Sequence, residues 1–310
     1  MINRIVIFGG TGYIGRPLVE ALKQRYNVLI ITRDASRHRV SDHVSYWEWD
    51  GKESLSAQLE DSMAVINLAG ENIGNKRWSH SQKEIIKQSR ISVGEAIQYG
   101  VEHCQNPPSV WIQASAVGYY GQQGRSGFYA TEESPKSPKP DFLSDVCQDW
   151  EQPISACTSN IRKVIIRSGV VLSPESLVWK QSFMPFKARL AIIPGSGKNY
   201  LPWIALDDEV RAIQYLLESK NLTGIFNLVA PQSLQMRELI GLFKKYHQTL
   251  ITLHIPRILL NLVFGKDMVR ELILTNQLVS PQALLDSGFL FKFEESAKLI
   301  KHYFKDEKVV

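Results

Sequence analysis

The sequence predicts an α/β fold, a doubly wound parallel sheet with a smaller C-terminal lobe. Over its first two thirds the chain alternates apolar runs with helical stretches. The apolar runs are continuous, which is typical of parallel strands covered on both faces. A glycine-rich turn, Gly9–Gly15, lies between the first apolar run and the first helical stretch. Together these observations indicate a sheet of the Rossmann type.

The alternation defines each predicted element. The candidate strands are Arg4–Phe8, Val28–Thr32, Val44–Trp49, Ala64–Leu68, Val110–Ser115 and Val164–Ser168. The candidate helices lie near Ile14–Arg25, Ser54–Leu59, Ser79–His103, Phe142–Thr158 and Asp207–Ser219. Ser79 and Gln82 have the spacing of a capping box, which predicts the start of the third helix. Three acids from Asp207 to Glu209 suit the positive end of the last helix dipole.

The 310 residues are enough for one large domain and a smaller one. We predict a nucleotide-binding domain over residues 1–172 plus about 201–230, and a substrate lobe over 173–200 plus about 231–310. The lobe includes a mostly helical tail past about Leu250. Gly118–Pro140 reads as a long loop, and loops of that length are usually functional. Pro194–Gly197 marks a second turn.

Composition excludes several classes of protein. The net charge is +5, but the basic residues are scattered, so nucleic-acid binding is not expected. We expect no membrane span, no secretory leader and a cytoplasmic location, because no apolar run is long enough and the N-terminus enters a strand directly. Cys104, Cys147 and Cys157 lack metal-ligand spacing, so neither a metal site nor a disulfide is expected. A homodimer is left open.

The glycine turn predicts the first ligand. It contains two overlapping patterns, Gly9-x-x-Gly12-x-x-Gly15 and Gly10-x-Gly12-x-x-Gly15. A turn between strand and helix points backbone amides and the helix dipole at a pyrophosphate, which predicts a dinucleotide. The candidate cofactor-binding residues here are Gly9, Thr11, Gly12, Tyr13, Ile14 and Gly15. A glycine-rich turn without a ligand is the alternative.

The end of the second strand indicates which dinucleotide is bound. NAD sites place an acid there, on the ribose hydroxyls. Here the strand ends in Thr32 and Arg33, and a guanidinium suits the 2′-phosphate of NADP(H). Arg37 and Arg39 could assist. The alternative is that Arg33 is solvated and that Asp34 binds the ribose of NAD.

The exit of the fourth strand adds further candidates for cofactor contact. Small residues there would let the backbone approach the cofactor, although an ordinary strand exit is the alternative. The candidates are Leu68, Ala69, Gly70 and Glu71. Arg77 and Trp78 follow in the loop before the third helix and could face the same pocket.

Several segments of the chain share a pattern with a known group of proteins. They are Gly9–Gly15, Asn67–Ile73, Arg77-Trp78, Ser115–Gly121, Asp141–Leu143 with Trp150-Glu151, and Leu201–Asp208. Together they resemble the extended short-chain dehydrogenase/reductase superfamily and, more narrowly, its atypical epimerase-like branch. That branch is labelled NAD-dependent epimerase/dehydratase or, in older naming, cell-division inhibitor. Its members carry a C-terminal domain of unknown function, to which Ile255–Phe304 is similar.

The resemblance implies a chemistry from which this chain departs. In the superfamily a Tyr is the acid/base, a Lys lowers its pKa and binds the nicotinamide ribose, and a Ser holds the substrate oxygen. Ser115 matches the serine. The helix that should carry Tyr-x-x-x-Lys has Leu143 and Cys147 there in one register, and Phe142 and Val146 in the other. The usual proton donor and its cation are therefore missing.

Replacement acids are few. Tyr119 and Tyr120 follow Ser115 and could supply a phenol, with packing or substrate contact as the alternative. Asp145 and Glu132 are further candidates, with helix capping and a solvated loop as the alternatives. Cys147 is a poor substitute for an ammonium group.

We therefore expect an NADP(H)-binding oxidoreductase or epimerase-like enzyme of unknown small-molecule substrate, in which Ser115 polarises the substrate oxygen. The alternative is a non-catalytic NADP(H)-responsive regulator, linked to cell division as the older family label suggests. The aromatic residues that either line an apolar pocket or pack the core are Trp179, Phe183, Phe186 and Trp203. The cations that either meet an anionic substrate or are surface charge are Lys187, Arg189 and Lys198.

Overall fold

The computed structural model describes residues 3–122, 127–139 and 141–304. The strands are β1 Arg4–Phe8, β2 Asn27–Thr32, β3 Val44–Glu48, β4 Ala64–Asn67, β5 Val110–Ala116, β6 Arg162–Ser168, β7 Val170–Leu172, β8 Leu190–Pro194, β9 Tyr200–Leu201, β10 Trp203–Ala205, β11 Gly224–Leu228, β12 Leu234–Gln235 and β13 Ile251–Ile255. The α-helices are α1 Gly15–Leu22, α2 Ser56–Leu59, α3 His80–Glu102, α4 Phe142–Ala156, α5 Leu177–Phe183, α6 Leu206–Glu218, α7 Met236–Lys244, α8 Arg257–Phe264, α9 Lys266–Met268, α10 Gln282–Asp286 and α11 Ser296–Phe304.

Seven strands form the central sheet, in the order β11-β6-β5-β4-β1-β2-β3. Every neighbouring pair in it is parallel. The order reverses between β1 and β4, and ligands of open α/β sheets bind at such a switch point, outside the carboxyl ends of the strands. The predicted doubly wound parallel sheet is confirmed.

Two layers of side chains cover the sheet. On one face Leu18 of α1 and Ile213 of α6 pack against the strands, and Leu284, Phe289 and Phe291 from the tail join the same core. On the other face a second layer contains Val6 and Trp111 from the strands, with Ile97 of α3 and Ile154 of α4. Burial on both faces explains why the strand sequences are continuously apolar.

The smaller lobe has its own core. Trp179 of α5 contacts the rings of Phe243 and Phe304, with centroid distances of 4.9 and 5.7 Å. Trp203 and Leu299 belong to the same cluster. Two short two-stranded sheets, β8 with β13 and β9 with β12, lie in the chain segments that form this lobe. The domain bounds given above stay a prediction.

Element ends differ modestly from the sequence prediction. α1 begins at Gly15 and ends at Leu22, within the predicted range. Ser79 caps α3 as predicted, since its side chain accepts a hydrogen bond from the Gln82 amide at 3.1 Å. The seventh strand, β11, was not predicted, because its five residues are few and include the polar Asn227. In the predicted loop Gly118–Pro140, residues 123–126 and 140 lie outside the described residues.

In the described part of the chain no helix has the length and apolarity to cross a membrane. Cys104, Cys147 and Cys157 are free thiols. No group of three or more potential ligands that could hold a metal ion occurs among the residues described.

Candidate functional site

The glycine turn joins β1 to α1 at the carboxyl edge of the sheet. Gly9 has a φ of +76°, and a Cβ there would lie 2.8 Å from the Leu68 carbonyl carbon. A Cβ on Gly15 would lie 2.1 Å from the Gly9 carbonyl oxygen. Gly12 is exposed, and a Cβ on it would meet only that oxygen, at 3.1 Å. The inner side of the turn is therefore packed against backbone atoms, whereas its outer side at Gly12 is accessible. A pyrophosphate can approach the backbone amides at the start of α1 from that side.

The other residues of the turn support it. Thr11 accepts a hydrogen bond through its carbonyl oxygen from Arg16 Nε at 2.8 Å. The Tyr13 hydroxyl and Ser173 Oγ are 2.8 Å apart, and burial raises the pKa of Tyr13 to about 12. Ile14 occupies the N-cap position of α1 and packs against the core. The Tyr13 side chain thus ties the turn to the segment that follows β7.

An acid and a cation, Asp34 and Arg33, follow the end of β2, and they differ in their partners among the described residues. Asp34 forms an ion pair of 2.6 Å with Arg37 and accepts a hydrogen bond from Ser36 Oγ at 2.7 Å. The Ser36 hydrogen bond, with the Arg37 charge, lowers the pKa of Asp34. Thr32 Oγ1 accepts from the Asp34 amide at 3.4 Å. Arg33 is exposed, and among the described residues none forms an ion pair with its guanidinium.

A buried amide chain fixes the exit of β4. Asn67 Nδ2 donates to Gln113 Oε1 at 3.0 Å, and Asn67 Oδ1 accepts from the Ala69 amide at 3.0 Å. The Leu68 amide donates to the Phe8 carbonyl oxygen on β1 at 2.9 Å. These bonds hold the Leu68–Gly70 backbone against the glycine turn. The Glu71 amide is fixed in turn by Ser89 Oγ at 2.9 Å.

Ser115, the predicted catalytic serine, lies at the end of β5 over a buried ion pair. Its Oγ donates to Glu151 Oε1 on α4 at 2.6 Å. Arg167 on β6 donates to both oxygens of Glu151 at 2.8 Å. Burial lowers the pKa of Arg167, but the hydrogen bonds and charge of Glu151 outweigh it and raise the pKa overall. The ion pair is therefore charged, bidentate and shielded from solvent.

The two predicted catalytic tyrosines lie beside this ion pair. The Tyr120 hydroxyl receives a hydrogen bond from Arg167 Nη1 at 3.0 Å and donates to Asn227 Oδ1 at 2.7 Å. Burial raises the pKa of Tyr120. The Arg167 guanidinium lies over the Tyr119 ring, with its central carbon 3.5 Å from the ring centroid. Tyr120 is buried, whereas Tyr119 is half-buried. Their roles in proton transfer stay predictions.

The other candidate acids are already bonded. Glu132 Oε1 accepts from the Asn227 amide at 2.9 Å, and burial raises the pKa of Glu132. Asp145 is exposed and forms an ion pair of 2.6 Å with Lys136.

α4 carries apolar side chains and a thiol where the resemblance implies Tyr and Lys. A Cβ on Gly118 would lie 3.4 Å from both the Leu143 Cβ and the Cys147 Sγ. Leu143 and Cys147 thus lie directly beside the segment that follows β5. Burial raises the pKa of Cys147 to about 12, so its thiol stays neutral near pH 7.

A buried cation from α3 completes this side of the site. Arg90 is 9% exposed, and its guanidinium lies 4.7 Å from the Trp150 ring centroid. A Cβ on Gly70 would lie 3.0 Å from the Arg90 Cζ. Arg90 Nη1 donates to the Ile86 carbonyl oxygen at 2.9 Å. Within the described chain no carboxylate is within ion-pair distance of Arg90.

A groove of about 710 Å³ opens between the loop before α3 and the tail. The tail contributes apolar side chains to it, including Ile258 and Leu262 of α8, which are 74% and 69% exposed. Arg77, predicted to contact the cofactor, lines this groove, and a Cβ on Gly265 would lie 3.3 Å from its Nε. Trp78 Nε1 donates to the Ile73 carbonyl oxygen at 2.8 Å. Whether Arg77 reaches a cofactor stays a prediction.

The substrate-side candidates fall into two groups. Those that pack in the core of the smaller lobe are Trp179, Phe183, Phe186 and Trp203. Those exposed at the surface are Lys187, Arg189 and Lys198. The aromatic residues therefore serve packing, which is the second of the two interpretations given above.

A model of the NAD dependent epimerase/dehydratase family matches residues 5–228, from β1 to the end of β11. The chain belongs to this family. A second family model, a domain of unknown function designated DUF1731, matches residues 255–302 in the tail. The epimerase/dehydratase match includes the glycine turn, Ser115 and α4, so the predicted family resemblance is confirmed.

Relatives within the epimerase/dehydratase family cover nearly the whole chain. An epimerase family protein of Mycobacterium bovis is 34% identical over 294 residues, which are 94% of each chain. Human epimerase family protein SDR39U1 is 30% identical over 302 residues, 96% of this chain and 98% of the human one.

Solved structures show the same architecture. The crystal structure of human SDR39U1 (isoform 2) with NADPH has a TM-score of 0.84 and 28% identity, covering 98% of this chain and 99% of that one. UDP-glucuronic acid 4-epimerase from Bacillus cereus, in complex with UDP-glucuronic acid and NAD, has a TM-score of 0.74. It is 16% identical and covers 97% of this chain and 99% of that one, so it supports the fold alone.

Two parts of the site were not predicted from the sequence. The Glu151–Arg167 ion pair links α4 to β6, and only the arginine that directly follows the apolar run Val164–Ile166 could have signalled it. Arg90 lies in the middle of a long helix among many polar residues, where nothing in the sequence distinguishes it from a surface arginine.

Proposed function

We propose that this protein binds NADP(H) and uses it as an oxidoreductase or epimerase-like enzyme acting on a small molecule. The observation that carries the cofactor preference is at the end of β2. Asp34, the acid that would suit NAD, is bonded to Arg37 and Ser36, whereas Arg33 has no ion-pair partner among the described residues. A guanidinium left free at this position suits the 2′-phosphate of NADP(H). The NADPH held by human SDR39U1 supports the same assignment.

The residues of the glycine turn fit the rest of this cofactor. Gly9 and Gly15 allow the turn to close against the β4 exit, and Gly12 leaves its outer side open. The cofactor would supply hydride exchange at its nicotinamide ring. The Ser115 hydroxyl donates a hydrogen bond to Glu151, so its oxygen is placed to accept a hydrogen bond. For Ser115 to polarise a substrate oxygen, that bond to Glu151 must first be exchanged for one to the substrate.

Calorimetric titration tests the cofactor assignment. We expect NADPH to bind more tightly than NADH, with a preference that shrinks about 10- to 100-fold in Arg33→Ala, because charge-assisted hydrogen bonds contribute about 1.5–3 kcal/mol. Arg25→Ala is the matched control: it removes an arginine that pairs with Glu218, beyond the end of α1. Equal affinities of the parent protein for NADPH and NADH would contradict the assignment.

The second candidate function is a non-catalytic regulator that responds to NADP(H), linked to cell division as the older family label suggests. The observation that favours it is that the hydroxyls of Ser115 and Tyr120 are both held by buried internal partners. Absorbance of NADPH, followed with a panel of aldehydes, ketones and sugar nucleotides, distinguishes the two functions. Turnover that is lost in Ser115→Ala supports the enzyme, and tight NADPH binding without turnover across the panel favours the regulator.

A further inference from the structure

Arg90 is a buried cation with no ion-pair partner among the described residues. The residue is 9% exposed, and its guanidinium donates a hydrogen bond to the Ile86 carbonyl oxygen. The guanidinium also lies over the face of Trp150, which offsets part of the cost of removing the charge from water. Burial lowers the pKa of Arg90 to about 10, so it is still protonated near neutral pH. A buried charge normally has a close ionic partner. Among the described residues Glu71 is the carboxylate whose charge acts on Arg90, and it does not come within ion-pair distance of the guanidinium.

The position of Arg90 along the sheet edge indicates which partner is missing. The strands run in the order β2, β1, β4 and β5, about 4.8 Å apart. Arg33 follows β2, the glycine turn follows β1, Gly70 follows β4 and Ser115 is the penultimate residue of β5. A dinucleotide with its 2′-phosphate at Arg33 and its pyrophosphate at the glycine turn extends its other half toward β4 and β5. That half reaches the backbone under which Arg90 lies.

The local packing holds the guanidinium in this place. Gly70 permits the contact, since any Cβ there would lie 3.0 Å from the Arg90 Cζ. Cys147 of α4 is close enough for the Arg90 charge to favour its thiolate, although burial dominates and keeps the thiol neutral. A lysine ammonium, which loses its proton more readily when buried, would be less suited to this dry position than a guanidinium. α4 thus brings no cation to the site, whereas α3 does.

We propose that the Arg90 guanidinium is the cation on the nicotinamide side of the cofactor site, where it donates hydrogen bonds to the nicotinamide-ribose half of bound NADP(H). This role rests on the proposed NADP(H) binding and extends it to the half of the cofactor that Arg33 does not serve. Arg90, on α3, supplies the positive charge that a lysine at the Cys147 position of α4 would otherwise supply.

Titration with two probes tests this role. NADPH contains both halves of the cofactor, and adenosine 2′,5′-bisphosphate contains only the half that Arg33 serves. In Arg90→Met we expect the affinity for NADPH to fall about 10- to 100-fold while the affinity for the bisphosphate stays within about twofold. Arg90→Lys should lie between parent and Arg90→Met for NADPH. Arg33→Ala is the matched control and should weaken both probes.

Three other results of these titrations would count against the proposals. Unchanged NADPH affinity in Arg90→Met, with the bisphosphate still bound, would make Arg90 a structural residue and overturn the role. Equal loss of both probes in Arg90→Met and Arg90→Lys would overturn it as well, because the effect would not be specific to the nicotinamide half. If the parent protein binds neither probe, the proposed function itself fails, and this result is distinct from the other two.

Gly70→Ala supplies an independent variant. Its methyl group would lie 3.0 Å from the Arg90 Cζ, so the guanidinium must shift and NADPH affinity should fall in the parent background. In the Arg90→Met background the same substitution should have a smaller effect, because the group that it displaces is gone. Equal effects in the two backgrounds would contradict an action through Arg90.

Discussion

At the scale of single residues, Glu151 holds together the buried groups beneath Ser115. It accepts hydrogen bonds from Ser115 on β5 and from two nitrogens of Arg167 on β6, so one carboxylate joins two strands to α4. Arg167 in turn holds Tyr120. Glu151 and Arg167 are buried, so removing one of them leaves the other as an unpaired charge that destabilises the folded protein.

Glu151→Gln should therefore destabilise the protein strongly. We expect the free energy of unfolding to fall by about 3–5 kcal/mol, since Arg167 is left as an uncompensated buried charge. Urea denaturation followed by circular dichroism measures the change. The double variant Glu151→Met with Arg167→Met removes both charges and should lose less stability than the two single variants added together. A loss in Glu151→Gln below about 1 kcal/mol, the range of exposed ion pairs, would contradict this account.

At the scale of elements, the glycine turn after β1 uses different glycines for folding and for ligand binding. A Cβ at Gly15 would overlap the Gly9 carbonyl oxygen at 2.1 Å, so the close packing of α1 on β1 depends on glycine there. Gly12 faces outward and has only one backbone atom near its missing Cβ. One glycine thus shapes the turn, and the other leaves room for the ligand.

We expect Gly15→Ala to lower the free energy of unfolding by roughly 3 kcal/mol or more, because backbone atoms must move. Gly12→Ala should cost less than about 1 kcal/mol and yet weaken NADPH binding, since its methyl group occupies the open side. Thermal unfolding and calorimetric titration of the two variants separate the effects. A Gly12→Ala protein that binds NADPH as tightly as the parent would contradict the assignment of the open side.

The elements that the sequence predicts well are those whose burial is visible as apolar runs. β1 and the Val164–Ile166 centre of β6 are such runs, and the distance of Arg33 from the glycine turn correctly places this residue just after β2. β11 escaped prediction, since its short run contains Asn227. Arg90 and the Glu151–Arg167 ion pair escaped for another reason. Their meaning depends on which helix packs against which strand, and local sequence does not contain that information.

For the molecule as a whole, a buried carboxyl makes stability depend on pH. Glu209 of α6 is fully buried and accepts a hydrogen bond from Ser168 Oγ at 2.6 Å. Burial raises the pKa of Glu209 to about 8. The native protein therefore holds this proton up to about pH 8, whereas the unfolded chain releases it near 4.5, the ordinary pKa of a glutamate side chain. Between these values the unfolded chain binds fewer protons, so stability falls as the pH rises.

Glu209→Gln should flatten this part of the stability profile. We expect the parent to lose up to about 1.4 kcal/mol per pH unit more than the variant between pH 5 and 8. Asp141, whose pKa burial and Glu271 raise to about 7, adds a slope of its own, so the comparison rests on the difference between the two proteins. Urea denaturation at each pH measures it. Asp207→Asn, at an exposed ion pair of the same helix, is the control. Parallel profiles for parent and Glu209→Gln would contradict the prediction.

The tail completes a core that begins at the other end of the chain. Leu284, Phe289 and Phe291 pack in the same cluster as Leu18 of α1. During synthesis the first strands leave the ribosome long before these three side chains exist. Part of one face of the central sheet therefore stays uncovered until residues 284–291 have been synthesised. A chain that stops before Leu284 would leave this part of the sheet face exposed, so we expect it to be less stable than the parent protein.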